Sequence, residues 1–281
     1  SIITDARPPG TQKAIFGGVA NLFTANITNL VSNIGVVAND TLIVGTARGN
    51  LAAAGYGTDK ALFGYGYATA TGSKVSMTNL VSNTGVVSAD TTGVGSERYS
   101  LAAAGYGGDK AIFGYGLGIT FVVSTYNTSI TNKVSNTGVV ATDTTGVGTV
   151  RYQLAAAGYG EDKAIFGYGY TTLAVSMTNK VSNTGVVASD TSGVGTARYS
   201  LAAAGYGGDK AIFGYGYTSV RVSMTNKVSN TGVVSADTTG VGSARHELAA
   251  AGYGGDKALF GYGSGYNITN LVSNTGVVSD N

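Results

Sequence analysis

The chain has 281 residues, of which 45 are glycine, one is histidine (His246) and none is cysteine or tryptophan. Charged residues make up 11% and the formal net charge is +2, which excludes both a disordered polyelectrolyte and a basic nucleic-acid-binding surface. The absence of cysteine and the single histidine exclude a disulfide scaffold and a thiolate or histidine-cluster metal site, and no cofactor is expected.

The chain opens Ser1-Ile2-Ile3-Thr4-Asp5, without a basic or apolar leader pattern, and no apolar run approaches the ~18 residues of a membrane span. The serine start fits either removal of an initiator methionine or a cut from a longer precursor. From there one phrase organises everything. Lys-Ala-Ile/Leu-Phe-Gly occurs six times, with its lysine at Lys13, Lys60, Lys110, Lys163, Lys210 and Lys257. The intervals are 47, 50, 53, 47 and 47 residues, and the repeat spans the sequence, which predicts no stalk, tail or second domain.

Each unit carries four short segments. Leu-Ala-Ala-Ala-Gly-Tyr-Gly starts at Leu51, Leu101, Leu154, Leu201 and Leu248. Lys-Ala-Ile-Phe-Gly-Tyr-Gly follows, then Met-Thr-Asn-Leu/Lys-Val-Ser-Asn, then Gly-Val-Val. Gly-Gly-Asp-Lys joins the first two segments and Ser-Asn-Thr-Gly the last two, both with the residues of tight turns. A longer connector, Asp-Thr-Thr-Gly-Val-Gly-Ser/Thr-x-Arg, steps to the next unit. The expected fold is all-β: a six-bladed β-propeller of four-stranded antiparallel blades, in one domain spanning 1–281. The blades are placed at about 1–40, 48–90, 98–143, 151–190, 198–237 and 245–281. Leu-Ala-Ala-Ala favours helix, but four residues between glycines are too few to hold one, and small side chains suit crowded inner strands. Phe16, Phe63, Phe113, Phe166, Phe213 and Phe260 are expected to wedge between blades. The first blade lacks the Leu-Ala-Ala-Ala segment. Either Ile2–Asp5 supplies its inner strand or a neighbouring chain does.

Residues 196–216, Thr-Ala-Arg-Tyr-Ser-Leu-Ala-Ala-Ala-Gly-Tyr-Gly-Gly-Asp-Lys-Ala-Ile-Phe-Gly-Tyr-Gly, resemble a kelch repeat. Kelch units show an arginine, a small apolar strand, a Gly-Asp/Asn-Lys hairpin and an apolar strand ending in Gly-Gly. Here Gly-Tyr-Gly replaces the double glycine in five units, Phe16-Gly17-Gly18 keeps it in the first, and the usual kelch tryptophan is missing. The near-identical repeats also look like kelch-like proteins predicted in bacteriophages and marine prokaryotes. That resemblance implies a non-enzymatic role on a virion or an extracellular surface.

No break in the repeat gathers titratable groups, so no catalytic residue is assigned. His246 stands where Tyr99, Tyr152 and Tyr199 stand in sister units and reads as a surface substitution. Asp40, Asp90, Asp143, Asp190 and Asp237 open the connector. One carboxylate per unit is a poor calcium set, and an Asx-turn suffices. Arg48, Arg98, Arg151, Arg198 and Arg245 close it. They either bind anionic glycans or phosphates as a set of guanidiniums, or tie down connector carbonyls and the nearby aspartates. At one third-strand position Leu30, Leu80 and Leu271 stand against Lys133, Lys180 and Lys227. The leucines form a candidate contact arc for other structural proteins or self-assembly, and drift among duplicates accounts for the pattern equally well. Two functions remain open: a structural or attachment subunit of a phage particle, and a multivalent lectin-like propeller that binds surface glycans.

Overall fold

In the computed structural model, the protein is described over residues 13–19, 26–42, 44–119 and 125–280, and these residues form strands and loops with no helix. Ile2–Asp5, the candidate inner strand of the first unit, lies outside the described residues.

Units 2 to 6 each build an antiparallel sheet in the order first, second, third strand. Unit 4 shows the plan: Ala155–Tyr159, Lys163–Tyr170 and Ala174–Val181. The matching first strands are Ala52–Tyr56, Ala102–Tyr106, Ala202–Tyr206 and Ala249–Tyr253, so the alanine run is strand despite its helix propensity. Burial decides this. Ala157, Ala204 and Ala251 are 0–1% exposed, and a larger side chain has no room there. Unit 1 pairs Ala14–Val19 with Asn26–Val31, which pairs in turn with Thr41–Leu42.

Both predicted turns form. The first hairpin places Gly107 and Gly108 at φ 63° and 77°, a left-handed pair that glycine takes without steric cost. The Ser-Asn-Thr-Gly turn closes through Gly185 N–H donating to Ser182 O at 2.9 Å. The fourth segment differs from the four-stranded expectation. In units 2 to 5 it does not ladder. It touches the third strand through isolated bridges such as Val181↔Val187 and Thr178↔Thr191. The backbone leaves the third strand between the two bridges and again at the glycine that follows the second.

Hydrophobic clusters join each unit to the next. One combines Ala157, Tyr159 and Tyr168 of unit 4 with Leu201, Phe213 and Val228 of unit 5. Equivalent clusters join units 2 and 3, 3 and 4, 5 and 6, and 1 and 2. A further one joins Ala251, Tyr253 and Leu259 of unit 6 to Ala14, Phe16 and Val31 of unit 1.

The expected phenylalanine wedge lies at the centre of each seam. The Phe213 ring tip rests on Gly167 of the preceding unit, where an added Cβ would lie 2.6 Å from Phe213 Cζ. Gly17, Gly64, Gly114 and Gly214 receive Phe63, Phe113, Phe166 and Phe260 in the same way, and Gly261 of unit 6 receives Phe16 of unit 1. Beside each of these glycines in units 2 to 6 stands a tyrosine at positive φ. In unit 4 it is Tyr168 (φ 62°), an extra residue where the register shifts between Gly167 and Gly169. The bulge turns its ring into the seam, edge-on to Phe213 at 5.1 Å. Unit 1 has Gly18 there and its strand runs on unbroken.

Backbone bonds tie the units at both ends of the first strands. At the hairpin end Gly107, Gly160 and Gly207 N–H donate to Asp162, Asp209 and Asp256 O of the next unit at 2.6–2.7 Å. At the opposite, loop end Gln153, Ser200 and Glu247 N–H donate to Ser100, Gln153 and Ser200 O of the unit before at 2.8–2.9 Å.

Candidate functional site

The connector arginines are among the most deeply buried side chains described, each 0–1% exposed. Arg198 is typical. Its Nε donates to Tyr215 O at 2.8 Å, Nη1 to Thr196 O at 3.1 Å and Nη2 to Asn226 Oδ1 at 2.7 Å. Its guanidinium carbon lies 4.4 Å from the centre of the Tyr168 ring of the preceding unit. Asn226 passes the contact to Asp237 at 2.9 Å. Asp237 then takes the N–H and hydroxyl of Thr196, the latter at 2.6 Å. Arg98 and Arg151 repeat the three guanidinium bonds, and Arg245 does so with Tyr262, Ser243 and Asn270. So placed, the guanidiniums bind the chain itself and present nothing to a glycan or phosphate in solvent.

The aspartates are not local Asx-turns. Asp90, Asp143, Asp190 and Asp237 reach back to Thr46, Ser96, Thr149 and Thr196 on the incoming connector, 41 to 47 residues earlier, and so fasten the end of a unit to its beginning. Burial pushes these carboxyls up. The bonds from Thr or Ser and from Asn, with the nearby arginine, outweigh it and hold each below its ordinary value.

Arg48 departs from the pattern. Its Nη2 donates to Asn79, but its Nε is a buried donor without an acceptor. Gly18 stands where units 2 to 5 supply a stacking tyrosine, and a cavity of about 10 Å³ lies between Gly17, Gly18, Arg48 and Phe63. That is room for roughly one water molecule.

The leucine arc is divided. Leu30 and Leu80 pack half-buried against the clusters of the seams that follow them, and Leu271 is 37% exposed. The lysines at this position also span seams. Lys133, Lys180 and Lys227 donate to Thr184, Thr231 and Thr275 O of the next unit's turn at 3.1–3.3 Å. Leucine and lysine are thus two ways of meeting the same neighbouring turn. Fully exposed apolar side chains lie one segment further out: Val36, Val86, Val139, Val186, Val233 and Val277, one per unit, are each 61–66% exposed.

The inner hairpins of units 2 to 6 converge on a cavity of about 80 Å³ lined by Gly-Tyr pairs and by Lys110, Lys163, Lys210 and Lys257. It holds about five water molecules. Each of these lysines is paired with the aspartate before it, at 2.6–2.8 Å, which cancels the charge of the group.

At the loop end lies a feature that the sequence reading missed. Tyr152, Tyr170, Tyr199, Tyr217 and His246 form a continuous row of half-buried rings, with successive centroids 5.6, 4.9, 5.5 and 5.1 Å apart. Tyr67 and Tyr99 extend the theme at 5.8 Å, with the Lys74 ammonium 5.3 Å from the Tyr99 ring. Leu117 takes the place of Tyr170 in unit 3 and separates the two groups. Burial, then the neighbouring phenols, push the Tyr152 and Tyr199 hydroxyls above their ordinary pKa. The row pairs residues 18 apart within a unit and 29 apart between units. The only cue in the sequence is that tyrosine recurs at both places.

His246 belongs to this row and is not a bare surface substitution. Its Nδ1 lies 2.6 Å from Ser264 Oγ, and Ser264 Oγ donates to His246 O at 2.7 Å. The serine has one proton to give. The carbonyl and Nδ1 compete for that proton, and Nδ1 donates or accepts according to the ring's tautomer.

No family model matches the sequence, and no curated protein does.

Proposed function

We propose that the chain is a non-enzymatic interaction protein, built as a six-bladed, kelch-like β-propeller and displayed on a virion or an extracellular surface. One observation carries the architecture: the seam contact of Phe on glycine repeats from unit to unit and also links unit 6 to unit 1, through Phe16 on Gly261. Six sheets in cyclic contact leave no exposed face between them, which is how a propeller buries its sheets. The fourth blade strand is then the Gly-Val-Val segment with its two bridges.

The non-enzymatic reading rests on where the polar chemistry goes. Arginine, asparagine and aspartate are spent on tying each unit's connector to its third strand, hairpin lysine on hairpin aspartate, and Ser264 is bonded to the His246 backbone. The attachment reading rests on what is left outside. One exposed valine per unit offers neighbouring subunits a recurring apolar contact, and hydroxyl-rich loops of low charge suit an external surface.

Density-gradient fractionation of the source material, with peptide mass spectrometry on each fraction, tests this reading. Co-sedimentation with particles or cell envelopes at fixed stoichiometry is expected. A chain found in the soluble intracellular fraction refutes it.

A further inference from the structure

The repeats differ at both ends of the strands, with Thr58, Glu161 and Ile34 as single replacements at the hairpin end and changes of loop length at the other. At the hairpin end Ser-Asn-Thr-Gly is identical in five units, and Gly-Gly-Asp-Lys recurs at 107–110, 207–210 and 254–257. At the loop end the same stations vary. The residues before the first strand are Gly49-Asn50, Tyr99-Ser100, Tyr152-Gln153, Tyr199-Ser200 and His246-Glu247. Between second and third strands lie residues 65–77 in unit 2, 171–173 in unit 4, 218–220 in unit 5 and 262–268 in unit 6, of equal length in units 4 and 5 and longer in the others. The folding contacts do not explain the contrast, because both ends carry unit-to-unit backbone bonds.

The end that changes in loop length is also the end with the aromatic row. Gln153 and Glu247 directly follow Tyr152 and His246, at φ 52° and 56°, so amide and carboxylate groups lie next to the rings in sequence, while Ser200 after Tyr199 is buried. Exposed charges near the row include Arg221, Glu247 and the connector aspartates Asp190 and Asp237, a balance that gives no positive field for a polyanion. Exposed aliphatic side chains beside it, Leu173 and Val220, sit singly on separate loops. Successive rings are inclined at 50–69° to one another, so they present a corrugated apolar strip at low entropic cost, and adjacent polar groups pair with hydroxyls.

We infer that the row Tyr152, Tyr170, Tyr199, Tyr217 and His246 is a binding site for a neutral glycan chain, whose sugar rings lie on the aromatic side chains. The inference rests on the interaction-protein reading above and supplies its ligand class.

The test has two parts. The first is a glycan array probed with the full chain, followed by affinity electrophoresis in gels containing the soluble neutral polysaccharides galactomannan and β-glucan and, separately, anionic alginate. Retention by neutral glycans is expected, falling tenfold or more in Tyr170→Ala/Tyr217→Ala and unchanged in Ile34→Thr, which puts the sister units' residue in the exposed turn at the opposite end, each checked for fold by circular dichroism. The second part needs no variant. Nitration by tetranitromethane, read by mass spectrometry, is expected to drop at Tyr152, Tyr170, Tyr199 and Tyr217 when the retained glycan is present, and to persist at the exposed Tyr266. The inference is overturned by no binding anywhere on the array, by retention on alginate alone, or by glycan binding that leaves those four tyrosines unprotected. Particle association that survives in Tyr170→Ala/Tyr217→Ala, with no glycan bound, would sink the glycan site and leave the interaction reading standing.

Discussion

Gly167→Ala isolates the seam contact in a single atom. Gly167 does not lie at positive φ, so alanine is allowed there on backbone grounds. The obstacle is the Phe213 ring: the new Cβ would lie 2.6 Å from Cζ, 3.0 Å from Cε1 and 3.2 Å from Cε2. Carbon contacts settle at about 3.5–4.0 Å, so ring or strand must retreat by nearly 1 Å. Phe213 is wholly buried and held edge-on by Tyr168, so the shift spreads into the unit. Overpacking of this kind costs about 1–3 kcal/mol, and stiffening the unfolded chain returns about 0.4–1 kcal/mol. The net loss is about 1–2 kcal/mol, a fall in Tm of roughly 2–4 °C for a chain of this size. Gly158→Ala on the neighbouring first strand is the control. Its Cβ would meet Gly105 O at 3.4 Å, an ordinary contact, and Tm should hold or rise slightly. Thermal unfolding followed by circular dichroism reads both. Phe213→Leu should recover part of the Gly167→Ala loss, with a coupling of at least about 0.5 kcal/mol. Equal Tm for the two alanine variants, or strictly additive losses in the double variant, would refute the contact.

Four further expectations follow from the same geometry. Gly261→Ala should cost less than Gly167→Ala, under about 1 kcal/mol, because Phe16 stands 3.0–3.1 Å from the new atom; equal Tm losses would contradict this. Arg198→Lys should lower the urea midpoint by the equivalent of about 2–4 kcal/mol, since an ammonium cannot make the fork to Tyr215 O, Thr196 O and Asn226 or the stack on Tyr168. The depressed carboxyls of Asp90, Asp143, Asp190 and Asp237 give stability that is complete above the unfolded value near pH 4 and is lost as pH falls through the lower folded values. Tm should therefore drop in that acid window, and replacing all four by asparagine should flatten the drop. Burial pushes the Tyr115 and Tyr168 hydroxyls up to about 12, so a late-titrating class should appear in the ultraviolet, and stability should fall as pH rises from about 10 towards 12.

The fold was legible wherever one residue type has one physical use. The hairpin was readable because its first left-handed position is glycine in units 2 to 6, while Thr58 and Glu161 take the second at φ 72° and 69°. The phenylalanine wedge was readable because a large apolar ring once per unit must be buried between units. The arginines were legible only as a choice between ligand and tether, since a buried guanidinium and an exposed one look alike in sequence. What decides is Asn226, a long-range partner on the third strand. The aspartates misled because their partner lies 41 to 47 residues away and not two. The fourth segment carries strand-like Val-Val, yet it meets the third strand only at isolated bridges, Val228↔Val234 and Thr225↔Thr238, with Asp237 between them bonded to Thr196. The aromatic row was invisible because it joins separate stations of the repeat, and His246 gains its meaning only next to Tyr217 and Ser264.

The seam has a direction, and the direction is the same everywhere. Each unit presents a phenylalanine plug to the unit before it and a glycine socket to the unit after it, with matching parts at Phe16 and Gly261. Such head-to-tail joints are interchangeable, so a unit inserted or lost by recombination requires no new surface, only a new rotation per step. The same property carries a hazard. A chain nicked between its third and fourth units yields two halves, each with a plug at one end and a socket at the other. Those halves complement each other, and each also accepts a stranger. Heterologous joints that fail to close add without limit, so partial unfolding at a single seam is the route by which this protein would polymerise.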